Sequence, residues 1–302
     1  MCIDVNGFIV GLLPAGSGGA VDPLELANTT PTAPAADKVK VFGRKVGGRM
    51  MPAFIGPSGL DSSLQPSFAR NAIAYARAIG NSITISTEGI AWTVAGANQA
   101  AAAVGTSNIQ IAMRRVNYNV ATAATTSVAS FRSAALQFFR GAAGGKLGGF
   151  HFICRFGPSL GAAANTTRTG FVGFTSLATA PANVNPSTVA NVLGVGCDAT
   201  DTTYQIMHKT GTGAVTKIDT GITKSAADYT EMYELAMFCA PGGTEINFEF
   251  TNLGTGVVFK HTANTNLPAA TQLLAPVGCY AVGSSNSAIG IAFSSLYIET
   301  DY

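Results

Sequence analysis

Charge is what this sequence has least of. Asp, Glu, Lys and Arg make up 11% of the 302 residues, while hydrophobic residues make up 47%. An ordinary globular domain is about 25% charged. The polar surface must therefore come from Ser, Thr, Asn, Gln and Gly, which favours β architecture. It also suits a chain buried against copies of itself or in a larger assembly, because few charges oppose association. The five cysteines, Cys2, Cys154, Cys197, Cys239 and Cys279, are widely and irregularly spaced, with no CxxC and no Cys/His zinc pattern, which argues against the common zinc modules. Cys154 and Cys239 fall in apolar strand patterns and read as buried free thiols of a chain folded in a reducing compartment. No apolar run approaches the roughly 18 residues of a membrane span. Residues 8–13 are short and lack a basic flank, so no signal peptide is expected. Walker A and Rossmann glycine patterns are also missing, which argues against nucleotide enzymes. Neither a cofactor nor a metal is expected.

What is present is a period of two. In residues 148–157, GGFHFICRFG, the residues Phe150, Phe152, Cys154 and Phe156 point to one side of an extended backbone, and His151, Ile153 and Arg155 to the other. Further strands are expected at residues 171–174, 192–196, 204–208, 215–219, 232–238, 246–250, 257–261 and 288–298, separated by turns such as 211–213, 241–243 and 254–256. Many short strands at a spacing of roughly 8–12 residues, without helix–strand alternation, predict a mainly β, antiparallel β-sandwich of jelly-roll or lectin-like type.

The first half reads differently. Residues 1–37 hold Asp4, Asp22, Glu25 and Asp37 and no Lys or Arg. A short apolar start, GFIVGLLPAG, is followed by a Pro/Thr/Ala linker, so this segment is expected to be an extended docking peptide or a loose terminus. Residues 38–147 form a β-rich middle region, and residues 148–302 the C-terminal sandwich. The middle is basic, with twelve Lys/Arg against Asp61 and Glu88 over residues 38–149, whereas residues 150–302 hold six basic against ten acidic residues. The basic residues are spread among Ala and Gly without interleaved aromatics, so an acidic protein surface suits them at least as well as nucleic acid. Within the middle, a strand is expected at residues 39–42 and a short helix is an option at 70–79. Strands are expected at 83–85 and 90–94, and strands rather than helix around 109–113, Phe131, Leu136 and Phe138. Three prolines, Pro52, Pro57 and Pro66, argue against a long element before residue 70.

Several residue groups invite a chemical reading, each with a plainer one beside it. Gly157, Pro158, Ser159, Leu160 and Gly161 match GxSxG, with His208 or His261 as triad partners, but an antiparallel context is wrong for a nucleophile elbow. Asp198 and Asp201 suit Ca²⁺, although turn-forming Asp is common. Asp228, Glu231 and Glu234 include candidate pairs for glycoside hydrolysis, or simply a solvated edge. Trp92 with Tyr75 or Tyr118 could stack on a sugar, although a single Trp is more often core. Arg114 and Arg115, with Arg44, Lys45 and Arg49, are candidates for an acidic partner or a solvated face. No catalytic residue and no metal ligand is singled out.

The segments FGRKVGGRMMPAFIGPSGLDSSLQP, LGGFHFICRFG, TGFVGF, ANVLGVGCDATDTTYQIM, YELAMFCAPGG, LPAATQLLAP and SLYIETDY, from Val41 to the C-terminus, resemble the fibre and accessory virion proteins of tailed bacteriophages. The resemblance implies a lectin-like β-sandwich carried on a particle, commonly as a homotrimer, with a short N-terminal part attached to tail or head. It leads us to expect a non-enzymatic virion protein, made in the host cytoplasm, most simply a tail fibre. Its partners would be a tail adaptor, nozzle or capsid protein and a host surface glycan, with neither membrane nor nucleic acid as partner. Virion docking is assigned to Phe8, Ile9, Val10, Leu12, Leu13, Arg44, Lys45 and Arg49. Residues 1–37 are short for a fibre, which leaves a head fibre or decoration protein open. A polysaccharide-degrading enzyme on the same sandwich is the alternative of another class.

Overall fold

The computed structural model describes residues 27–35, 38–56, 61–63, 71–95, 98–120, 128–141, 147–159, 169–224, 231–282 and 290–301. The chain divides into two compact units, one of Met1–Lys45 with Met50–Gln65 and one of Val46–Arg49 with Pro66–Tyr302. Phe8, Ile9, Val10, Leu12 and Leu13 lie outside the described residues.

A three-stranded sheet of β1 (Lys40–Val46), β2 (Arg49–Ile55) and β3 (Asp61–Ser63), in that order, belongs to the first unit except for Val46 and Arg49, which fall in the second. Its small core is Phe42, Ala53 and Ile55. The strand expected at residues 39–42 is therefore real and longer. Pro52 is accommodated because β3 pairs only with Ala53, Phe54 and Ile55, so the missing N–H breaks no bond to β3. Gly47 (φ 55°) and Gly48 (φ 90°) make the β1–β2 turn, a two-residue connection in which both positions need positive φ.

The second unit continues with β4 (Asn71–Ala78), β5 (Ile85–Glu88), β6 (Thr93–Ala95), β7 (Asn98–Ala102), the one-turn helix α1 (Ile109–Ala112), β8 (Arg115–Asn119), β9 (Val128–Arg132), β10 (Gly148–Pro158), β11 (Thr169–Thr175), β12 (Leu193–Cys197), β13 (Thr203–His208), β14 (Thr216–Thr223), β15 (Tyr233–Cys239), β16 (Ile246–Asn252), β17 (Val258–Ala263), β18 (Ala275–Val282) and β19 (Gly290–Asp301). These strands form two antiparallel sheets. One has nine strands, in the path β17-β16-β15-β10-β19-β4-β5, with β8 on β19 and β7 on β8. The other has seven, β14-β13-β12-β11-β18-β9-β6.

The main core lies between the sheets. From β10 the side chains of Phe150, Phe152, Cys154 and Phe156 enter it, as the period-two pattern predicts, and meet Phe174, Leu193, Val195 and Ile206 of the facing sheet. Each fully buried side chain of this size contributes about 1.5–3 kcal/mol of transfer free energy. A smaller cluster of Phe171, Val192, Met207, Val277 and Tyr280 involves the other side of the seven-stranded sheet. The segment after β11 is held near it by the Tyr280 hydroxyl, which donates to the carbonyls of Ala182 (2.8 Å) and Val184 (2.6 Å).

Three expectations need correction. Residues 71–78 are a strand, not a helix: Ala74, Ala76 and Ala78 are buried at period two, and pairing with β19 outweighs alanine's helix propensity. Residues 109–112 are helical, because Asn108 caps the turn by accepting from the Ile111 N–H at 3.0 Å. Phe138 makes only an isolated bridge to Leu274. Strands from before residue 147 pair with later ones: β4 and β8 with β19, and β9 with β18.

The β11–β12 pairing leaves no room for side chains at its glycines. A Cβ on Gly194 would collide with the Val172 carbonyl and lie 2.8 Å from the Gly173 Cα. Gly194→Ala is expected to cost about 1–3 kcal/mol, the range for overpacking, and to lower Tm by several degrees in a thermal unfolding scan. An unchanged Tm would mean that these strands do not approach as described.

Candidate functional site

A cleft of about 290 Å³ opens between the turn after β15 and the loop after β17. Gly242, Gly243 and Thr244 line one side, and Asn264, Thr265 and Leu267 the other. Arg140 ties the walls together. Its Nε and Nη2 donate to the Pro268 carbonyl (3.0 and 2.8 Å), and its Nη1 to the Gly243 carbonyl (3.1 Å). The Gly242 N–H donates to the Arg140 carbonyl at 2.9 Å, and the Gly141 N–H to that of Ala270 at 3.0 Å. Asn266, at φ 50°, anchors the second wall through Nδ2, which donates to the Ala214 carbonyl (2.7 Å) and Thr216 Oγ1 (2.9 Å). Thr244, Asn264 and Thr265 are exposed. The described lining thus offers amides, hydroxyls and bare backbone beside the Arg140 guanidinium, which donates to backbone carbonyls, and no carboxylate. Such a surface can hydrogen-bond a neutral, polyhydroxylated ligand.

A smaller pocket, of about 110 Å³, lies on the other side of the same turn, between β10, β15 and β19. His151 on β10 stands opposite Phe238 of β15 and Glu299 of β19. The Glu299 carboxylate, only 2% exposed, is gripped by the Arg49 guanidinium through two contacts of 2.5 and 2.9 Å. It also accepts from the Tyr297 hydroxyl at 2.8 Å. Burial, reinforced by the Glu299 charge, pushes the Tyr297 phenol well above its ordinary value. Burial pulls His151 down to about 4; the Arg49 charge adds to this, while Glu299 and the Val46 carbonyl oppose it. His151 is therefore neutral at physiological pH. The turn residues reach this face closely: a Cβ on Gly48 would lie 2.6 Å from the Asn247 Cβ.

The residue groups singled out from sequence are placed as follows. Ser159 follows β10, its hydroxyl bonded to Asn119, whereas His208 and His261 stack on each other at 6.1 Å on β13 and β17. The GxSxG match does not assemble a triad with them. Between Asp198 and Asp201 sits the Lys217 ammonium, 3.0 Å from Asp198 Oδ2 and 2.6 Å from both Asp201 oxygens, so an internal cation takes the place where a calcium ion would be held. Glu234 pairs with Arg155 directly across the strands (2.6 Å), and Glu231 accepts from the Tyr233 hydroxyl (2.5 Å); Asp228 lies outside the described residues. Trp92, half-buried, stacks one ring face on Phe131 of the core at 4.8 Å, and Tyr118 is fully buried beside the same ring and offers no platform.

Of the basic candidates, Arg44, Lys45 and Arg114 are exposed. Arg115 is not: it is fully buried on β8, with Nη1 donating to the Met113 carbonyl at 3.1 Å. Arg49 is engaged with Glu299 inside the chain. Cys154, Cys197, Cys239 and Cys279 are free and buried, and burial pushes the Cys239 thiol up to about 11. Sequence reasoning missed both the cleft and the Arg49–Glu299 pair. The turn at 241–243 was legible as a turn, but the residues it faces lie far along the chain.

No family model and no curated protein sequence matches the chain. Solved structures do. Peanut lectin with a bound 9mer peptide superposes with a TM-score of 0.51 at 11% identity, covering 77% of this chain and 98% of the lectin. Lectin UEA-II complexed with galactose gives 0.51 at 12% identity, covering 78% and 100%. A carbohydrate esterase of the Shiga toxin-encoding bacteriophage phi24B gives 0.39 at 16% identity, covering 70% and 90%. The lectin matches establish a lectin-like β-sandwich fold, and nothing further is drawn from the third.

Proposed function

We propose that this chain is a carbohydrate-binding, non-enzymatic module of a bacteriophage virion, a tail fibre that meets host surface glycans through its sandwich and is attached through its N-terminal part. The observation that carries the carbohydrate reading is the cleft between Thr244 and Asn264, whose described lining holds amide, hydroxyl and backbone groups and, apart from the Arg140 that ties its walls, no charged side chain. Its volume of about 290 Å³ suits one sugar ring at the lower end of ordinary ligand pockets. The lectin-like fold supports this reading at the level of architecture only. The virion role is supported by the sequence resemblance and by the low charge of the chain. A non-enzymatic role is favoured by the carboxylates themselves: Glu231, Glu234 and Glu299 each hold a specific partner rather than facing one another across the cleft.

The test is a glycan array of bacterial O-antigen and capsule fragments probed with the full chain. The expected result is retention of a subset of glycans, lost on Asn264→Ala and Thr244→Ala. Retention of none, or hydrolysis of the bound fragments, would overturn the reading.

A further inference from the structure

We propose that the pocket of Arg49, His151 and Glu299 is a second saccharide subsite, so that the ligand is an oligosaccharide crossing the turn after β15 rather than a single sugar. This rests on the carbohydrate reading of the cleft and goes beyond it. The two depressions share one turn: Cys239 and Pro241 line the pocket, and Gly242, Gly243 and Thr244 line the cleft. A linear glycan seated in the cleft therefore has a built recess beside it for its next residue.

The pocket's chemistry selects the class of ligand. Arg49 and Glu299 neutralise each other in a two-contact ion pair, so neither an anion nor a cation meets an uncompensated opposite charge. His151 is 1% exposed; the Val46 carbonyl lies within reach of the ring, but neither ring nitrogen makes a hydrogen bond of ordinary geometry within the chain. A buried polar group without a partner is costly unless water or a ligand supplies one. A neutral imidazole offers one donor and one acceptor, and a hydroxyl, which can donate or accept, can pair with whichever ring nitrogen it reaches. The rings of Phe238 and Tyr297 stand edge-on to His151 at 6.0 and 6.5 Å and give apolar flanks for sugar C–H groups. A volume of about 110 Å³ admits a hydroxymethyl arm or a diol edge, not a whole ring with its shell, so the pocket serves as an extension of the cleft.

The experiment titrates the full chain with O-antigen fragments of increasing length, from monosaccharide to tetrasaccharide, by calorimetry. It follows the imidazole signals by NMR, where only three histidines contribute. The tetrasaccharide is expected to bind roughly tenfold tighter than the monosaccharide, equivalent to about 1.4 kcal/mol, and to shift the His151 ring signals, while the monosaccharide leaves them in place. His151→Leu should remove the increment, and His151→Gln, which keeps a donor and an acceptor, should retain most of it. Equal affinities with an unmoved His151 ring would overturn the second subsite and leave the cleft standing. Failure of every fragment to bind would overturn both.

Discussion

Phe174→Ala is expected to destabilise the sandwich by about 3–5 kcal/mol, the range for truncating a buried aromatic. Phe174 is fully buried on β11, and its ring centroid lies 4.8, 5.0 and 5.6 Å from those of Phe150, Phe152 and Phe138. It is one of the residues through which the seven-stranded sheet meets the central strand of the nine-stranded one. Its removal opens a cavity and also ends three tilted aromatic contacts, each worth about 0.5–1.5 kcal/mol beyond area burial. Against a typical total of about 5–15 kcal/mol this is a large share. Denaturant titration followed by tryptophan fluorescence is a direct check, because the single Trp92 rests on this core. The midpoint should fall while the slope is unchanged. A loss below about 1 kcal/mol would mean that the sheets do not pack face to face through Phe174.

Acidification should remove stability through His151. The ring titrates near 4 in the fold and near 6.5 in an unfolded chain. As pH falls from about 6.5 towards 4, the unfolded state gains a proton that the folded state refuses, because the ring is buried and faces the Arg49 guanidinium. This part of the stability is therefore fully present above pH 6.5 and declines as pH falls through the window, by up to about 3 kcal/mol. Glu299 and Tyr297 are the other titratable groups facing the ring. His208 and His261 are also lowered by burial and act in the same direction, so the contribution of His151 is the difference in pH slope between the wild type and His151→Leu. The variant should be flatter between pH 6.5 and 5. Parallel slopes would show that the ring is not buried beside Arg49 as described.

The sequence was most legible where burial alternates. The run from Phe150 to Phe156 announces β10 and its inward face, because a strand with one buried side must be apolar at every second residue. The alternation of Ile246, Phe248 and Phe250 does the same for β16. Reading failed where alternation is diluted. β18, APVGCYAV, mixes Pro and Gly into its pattern, and only β11 and β9 on its two sides make it a strand. β4 was obscured by alanines, whose small side chains carry little hydrophobic signal and high helix propensity. The candidate sites failed for another reason. Arg49 and Glu299 are 250 residues apart in sequence, and Lys217 enters the Asp198–Asp201 pair from a different strand, so no local spacing records either contact. The same holds for the cleft, whose walls are joined by Arg140 reaching loops more than a hundred residues further along the chain.

The measurement closest to the central claim is hydrogen–deuterium exchange on the full chain, with and without saturating amounts of the tightest-binding fragment from the glycan array. Slower exchange confined to residues 240–245 and 263–267, with the seven-stranded sheet unchanged, is the expected result. Protection elsewhere on the sandwich, or none at a concentration where binding is complete, would contradict the placement of a carbohydrate site between Thr244 and Asn264.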